Sequence, residues 1–264
     1  MKIFKRVVTA LTTAGLIIGA LLALRFCCEP ATAMKVVKPV VILLAFLVHL
    51  EFSQMVSKKY PIMVWPGVLA GVVYMASCFY GLTTCVNEIL FVLALCALFG
   101  KSDKPVAAFA TTVLGLVYIP WMVKYFVMIP CVSRPPDLMW LFYVLAIVKI
   151  SDMGGFAFGV AFGKHKMCPS ISPNKSWEGM AGSIFASCLI SWAFTAFTGF
   201  PLWKSLAFGA AAAIVGTLGD LVESRIKREC GVKDSATFMP AGMGGFLDMF
   251  DSLLFAPALL FPFL

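Results

Sequence analysis

Long apolar runs separated by short polar breaks fill the chain. The first runs from about Val7 to Leu24 and follows Lys2, Lys5 and Arg6. Others cover about Val36 to Leu50, Pro61 to Leu82, Asn87 to Gly100, and Pro105 into the Tyr118–Cys131 region, where Pro120 and Pro130 leave the end undefined. Four more cover Leu138 to about Gly163, Gly179 to Phe200, Leu202 to Val222 and Gly244 to Leu264. A helix needs about 20 apolar residues to cross the hydrocarbon of a bilayer. Most of the runs approach that length, so the pattern predicts an all-α, polytopic integral membrane protein of about nine transmembrane helices. The first run has the flanks of a secretory signal, and Ala31-Thr32-Ala33 has the form of a cleavage site. It is longer than an ordinary signal core, which favours a retained helix. No repeat or linker interrupts the series, and no polar stretch is long enough to fold alone. One transmembrane domain over residues 1–264 is therefore expected.

Composition agrees. The chain is 61% hydrophobic and 13% charged, with mean hydropathy +0.95, which excludes an ordinary soluble enzyme. Its nine cysteines are scattered and show neither C-x-x-C nor Cys/His metal spacing, so most read as small buried hydrophobes. The basic excess sorts by loop. With the N-terminus inside, fourteen Lys and Arg fall on the inner side and six on the outer, leaving Lys149 within the membrane. That bias predicts a cytoplasmic N-terminus and an outer C-terminus.

One stretch, Gly219 to Asp251, gathers charge that the rest of the chain lacks. It holds Asp220, Glu223, Lys227, Arg228, Lys233, Asp234, Asp248 and Asp251. On a helix, Asp220, Glu223, Ser224 and Lys227 share one face, and Asp248 and Asp251 repeat the three-residue spacing on the next helix. Carboxylates so placed, with cations between them, suit a hard ion such as Mg²⁺, with room for a second cation, and phosphate oxygens. Charges lodged at membrane depth are costly and functional by default. The bias of Lys and Arg puts this stretch on the cytoplasmic side, at a polar cavity facing the cytoplasm.

The same stretch resembles the signature of the phosphatidate cytidylyltransferase (CDP-diglyceride synthetase) family, roughly S-x-x-K-R-x4-K-D-x-G-x-x-L-P-G-H-G-G-x-x-D-R-x-D. Ser224, Lys227, Arg228, Lys233, Asp234, Pro240, Gly244, Gly245, Asp248 and Asp251 follow it in order. Three features depart from it: one residue more between Pro240 and Gly244, no family His, and no Arg after the first Asp. Ala241-Gly242-Met243 stands where the family has Gly-His, so Met243 lies beside the place of the family His, and Met249 replaces the Arg after the first Asp. A second region, residues 152–179, resembles the family's D-T-G-A-Y-x-x-G-x-x-F-G-K-H-K and I-S-P-K-K-T-W-E-G. Here it reads Asp152-Met-Gly-Gly-Phe through Lys164-His165-Lys166, then Ile171-Ser172-Pro173-Asn174-Lys175-Ser176-Trp177-Glu178-Gly179.

The resemblance implies the reaction CTP + phosphatidate → CDP-diacylglycerol + pyrophosphate in phospholipid biosynthesis. It implies Asp220, Asp234, Asp248 and Asp251 as holders of Mg²⁺, and Lys227, Arg228 and Lys233 as counter-charges to the triphosphate. Ser224 would donate to a phosphate oxygen and Glu223 would orient a neighbour. Asp152, Lys164, Ser172, Lys175, Trp177 and Glu178, in a basic loop and the helix before it, would line the substrate site. Gly244 and Gly245 would let a phosphate or a facing helix come close. Asp152 also stands three residues after Lys149, near enough to pair. The expected partners are CTP, phosphatidate and the bilayer, with no nucleic acid; a homodimer is compatible. The expected location is a bacterial inner membrane. The apolar helices do not name the lipid, so another lipid acceptor stays open. A cation-coupled transporter would favour mid-helix acids on broken helices; most of the acids here cluster at one face among basic residues.

Overall fold

In the computed structural model, residues 19, 23–81, 86–100, 102–235 and 245–264 are described. The predicted run Val7 to Leu24 falls largely outside them, as does Gly244. The rest form α1 (Pro30–Val56), α2 (Val64–Tyr80), α3 (Val86–Phe99), α4 (Pro105–Tyr118), and the short turns α5 (Pro120–Val123) and α6 (Tyr125–Met128). Then come α7 (Leu138–Phe162), strands β1 (Lys166–Cys168) and β2 (Ser172–Ser176), α8 (Trp177–Ala193), α9 (Thr195–Thr198), α10 (Leu202–Glu229) and α11 (Phe246–Leu260). Five stretches are long and apolar enough to cross a membrane: Pro30–Val56, Pro105–Val132, Leu138–Phe162, Leu202–Glu229 and Phe246–Phe263. Helices α2 and α3 are apolar but shorter. The chain is thus an all-α, multi-pass membrane protein.

Three boundaries moved, each for a local reason. Helix α1 runs past Leu50 to Val56 and carries His49, Glu51 and Ser53 buried within the protein. A polar run inside packed helices need not end a helix, because its partners are protein rather than lipid. Pro120 ends α4 and starts α5, as a residue without an N–H does at a first turn. The basic stretch read as a loop is a tight antiparallel hairpin, β1 against β2, with Lys166 opposite Ser176. Ser176 then caps α8 by accepting from the Gly179 N–H.

Helices α7, α8, α10 and α11 pack in sequence against one another, and α1 closes on α11. Small residues set the approach of α7 to α8. A Cβ at Gly154 would stand 2.5 Å from the Ala186 Cβ and 2.7 Å from the Gly182 carbonyl oxygen. Membrane helices pack closely through such residues because neither lipid nor protein offers a hydrophobic gradient. The contact of α10 with α11 matters most for the site: a Cβ at Gly219 would lie 2.9 Å from the Asp251 carbonyl oxygen. The apolar centre is filled by Phe52, Met55, Met75, Tyr143, Ile147, Leu247 and Leu254, all essentially without exposure.

Candidate active site

The 28-residue α10 begins as a span and ends as chemistry. Its last three turns carry Asp220, Glu223, Ser224 and Lys227 on one face, as the spacing required. Gly219 admits α11 against that face, and the first turns of α11 bring Asp248 and Asp251 to it. Oxygens of Asp220, Glu223 and Asp251 then lie within 4.8 Å of one another. A triad of carboxylates at that separation is the hard-oxygen donor set that a divalent cation takes. Glu223 has no exposed side-chain surface, and its ion-pair partner among the described residues is Lys227.

Lysines interleave with these acids. Lys227 pairs with Glu223 and, at 2.6 Å, with Asp248 Oδ1. The other oxygen of Asp248 accepts the backbone N–H groups of Gly245 at 2.7 Å and Ser235 at 3.0 Å. Asp248 thus closes the first turn of α11, where a carboxylate meets the positive end of the helix. Lys175, delivered by β2, reaches Asp220 Oδ2 at 2.6 Å and the Thr217 carbonyl at 3.1 Å. Ser224 Oγ donates to Asp220 Oδ1 at 3.3 Å. On α7, Lys149 donates to the Met249 carbonyl at 3.0 Å and stands 3.7 Å from Asp152, which accepts from Ser252 Oγ at 2.8 Å.

These groups form the polar end of a cavity of about 1010 Å³. Its other end is hydrocarbon: Val37, Val41 and Leu44 of α1, Leu141 and Leu145 of α7, and Phe126. Asp152, Ser172, Lys175, Asp220, Lys227, Asp234, Asp248 and Asp251 all line it, from five separate parts of the chain. Glu223 stands behind Lys227, Ser224 behind Asp220, and Gly245 supplies a backbone donor. The other predicted residues point elsewhere. Lys164, Trp177, Arg228 and Lys233 are exposed and do not line the cavity. Glu178, on the first turn of α8 ahead of the apolar run, pairs with His165 Nδ1 at 2.6 Å. That hydrogen bond holds its carboxyl down to about 2. It braces the hairpin against α8.

Sequence reasoning missed Glu51. Its Oε2 accepts the Leu247 N–H at 3.0 Å, so a buried carboxylate of α1 fixes the start of α11. The signal was available, since Glu51 lies five residues before the end of α1 at Val56, directly after the apolar run; ending that run at Leu50 hid it.

The sequence pattern of the Cytidylyltransferase family matches residues 4–264. A protein of Staphylococcus aureus named phosphatidate cytidylyltransferase is 40% identical over 156 residues, 58% of this chain and 57% of its own length. Proteins of the same name from Mycobacterium bovis and Mycobacterium tuberculosis are 38% identical over 146 residues, 55% of this chain and 47% and 44% of theirs. The chain spans about half the length of the curated relatives it matches. With its family pattern running almost end to end over helices that converge on a carboxylate and lysine cavity, the chain belongs to the cytidylyltransferase family.

Proposed function

We propose that this chain is a nucleotidyltransferase making CDP-diacylglycerol and pyrophosphate from CTP and phosphatidate. One observation carries the reading: a single cavity joins a hydrocarbon arm to an end built of carboxylates and lysines. Such a space suits a lipid whose chains stay apolar while its phosphate meets a nucleotide. The match to relatives named phosphatidate cytidylyltransferase supports the choice of CTP and phosphatidate.

In this reading an oxygen of the lipid phosphate attacks the α-phosphorus of CTP. The new P–O bond forms as the bond from α-phosphorus to the bridging oxygen breaks, and pyrophosphate leaves with that electron pair. A phosphomonoester has a second pKa of about 6, so it arrives largely as a dianion and needs no strong base. The protein's work is positioning and charge neutralisation. Lys175 and Lys227 supply positive charge where phosphate oxygens crowd. Ser224 orients Asp220, and Asp248 holds Lys227 at the mouth of α11 while Glu223 holds it from behind. Asp152 and Ser172 offer the remaining polar wall, with Gly245 behind it holding Asp248. Arg228 and Lys233, both exposed outside the cavity, gather the nucleotide from solution. Asp220, Glu223 and Asp251 fit a divalent cation, Mg²⁺ by the chemistry of the donor set, with Asp234 and Asp248 near the same end of the cavity. That ion would neutralise charge on the triphosphate and the leaving pyrophosphate.

The reading includes nine spans in one transmembrane unit: the eight longer helical stretches α1, α2, α3, α4–α6, α7, α8–α9, α10 and α11, plus the N-terminal run. The bias of Lys and Arg supports a site open to the cytoplasm of a bacterial cell, where CTP is made. The test is direct. Purified protein with labelled CTP, phosphatidate and Mg²⁺ should yield liponucleotide and pyrophosphate in equal amounts, and excess EDTA should abolish both. Turnover undiminished by EDTA would remove the metal, and no liponucleotide from well-folded protein would remove the reaction.

A further inference from the structure

We infer that Lys149 is the cation that reads the phosphate of the lipid and sets the specificity for a phosphomonoester headgroup, a step that rests on the function proposed above. Three lysines line the cavity among the described residues. Two are closed onto carboxylates at 2.6 Å: Lys175 on Asp220 and Lys227 on Asp248. Lys149 is not. Its ammonium stands 3.7 Å from Asp152, beyond hydrogen-bond reach, and 3.5 Å from Ser252 Oγ. Bonds to the Met249 carbonyl at 3.0 Å and, longer, to Ser252 Oγ engage two of its three protons, and neither acceptor carries a formal charge.

Its place along the cavity is the second argument. One face of α7 presents Leu141, Leu145, Lys149 and Asp152 to the cavity in that order, at helical spacing. Lys149 is therefore the first charge met after the hydrocarbon arm, one turn before the acids. A lipid with its chains along Leu141, Leu145 and the α1 valines brings its phosphate to that ammonium. A lysine held in an apolar helix is expensive and faces a cavity for a reason. Ser252 donates to Asp152 and accepts from Lys149, so its hydroxyl stands between the two groups. A neutral diacylglycerol offers no negative charge and leaves the lysine with only the distant Asp152 carboxylate, which is how a held charge discriminates.

The experiment compares wild type with Lys149→Met, Lys149→Gln and Lys149→Arg in mixed micelles. Losing one charge-assisted hydrogen bond should raise the apparent KM for phosphatidate roughly 10- to 100-fold in the Met and Gln variants, with the KM for CTP within about twofold. Arg should restore phosphatidate use to within about fivefold, since the charge is kept. Retention of labelled phosphatidate over diacylglycerol of the same chains, measured without CTP, should fall in step. If the Met variant does not fold, Gln, which keeps length and polarity, carries the same expectation. A rise in the KM for CTP instead would give Lys149 to the nucleotide phosphates and overturn the assignment. So would unchanged phosphatidate retention in every variant. Wild type that retains phosphatidate but makes no liponucleotide would sink the reaction while the binding arm still decides Lys149.

Discussion

Replacing Lys227 with Met removes the ammonium that two acids share. Glu223 has no exposed side-chain surface and has Lys227 as its ion-pair partner among the described residues, and Asp248 is only 15% exposed. Breaking a buried pair by deleting one partner costs about 3–5 kcal/mol, because a charge is left without compensation. Asp248 keeps the N–H groups of Gly245 and Ser235, so most of that cost falls on Glu223. For 264 residues the unfolding entropy is about 0.55 kcal/mol/K at ~2.1 cal/mol/K per residue, so the melting temperature should drop by about 5–9 °C. Thermal unfolding of the detergent-solubilised protein reads this. The triple variant Lys227→Met, Glu223→Gln, Asp248→Asn removes the stranded charges and should recover most of the loss while staying inactive. Under the proposed function, Lys227 is lost to the phosphates in both proteins. A Lys227→Met protein melting within about 2 °C of the parent would refute the reasoning, because it would mean Glu223 finds water or a proton at little cost.

Two further outcomes are expected. Gly219→Val should force α10 off α11, since even a Cβ there meets the Asp251 carbonyl oxygen at 2.9 Å; parting Asp251 from Asp220 and Glu223 should cost at least ~10²-fold in turnover, measured as liponucleotide formed. If the site opens to the cytoplasm, sealed inside-out vesicles should use external CTP and sealed right-side-out vesicles should not, CTP being unable to cross; equal rates would reverse the topology.

Much of the architecture was legible in the sequence because a bilayer imposes it. Runs of about 20 apolar residues have one structural outcome, and α7, α10 and α11 lie close to where the runs placed them. The acids of α10 share a face because three- and four-residue spacing does so on any helix. What hydropathy could not say is which side of an apolar helix faces protein. Lipid and protein core are equally apolar, so the valines of α1 that line the cavity look like those that meet lipid. Tertiary structure alone decided the pairings. Asp251 joins Asp220 and Glu223, while Asp248, one turn earlier, caps its own helix and takes Lys227. Lys175 reaches Asp220 only because a hairpin, not a loop, carries it there. Glu51 reaches Leu247 across 196 positions, and Lys149 of α7 reaches the Met249 carbonyl and the Ser252 hydroxyl of α11. Local spacing fixes which residues share a helix face; which faces meet depends on glycines such as Gly219 that let two backbones touch.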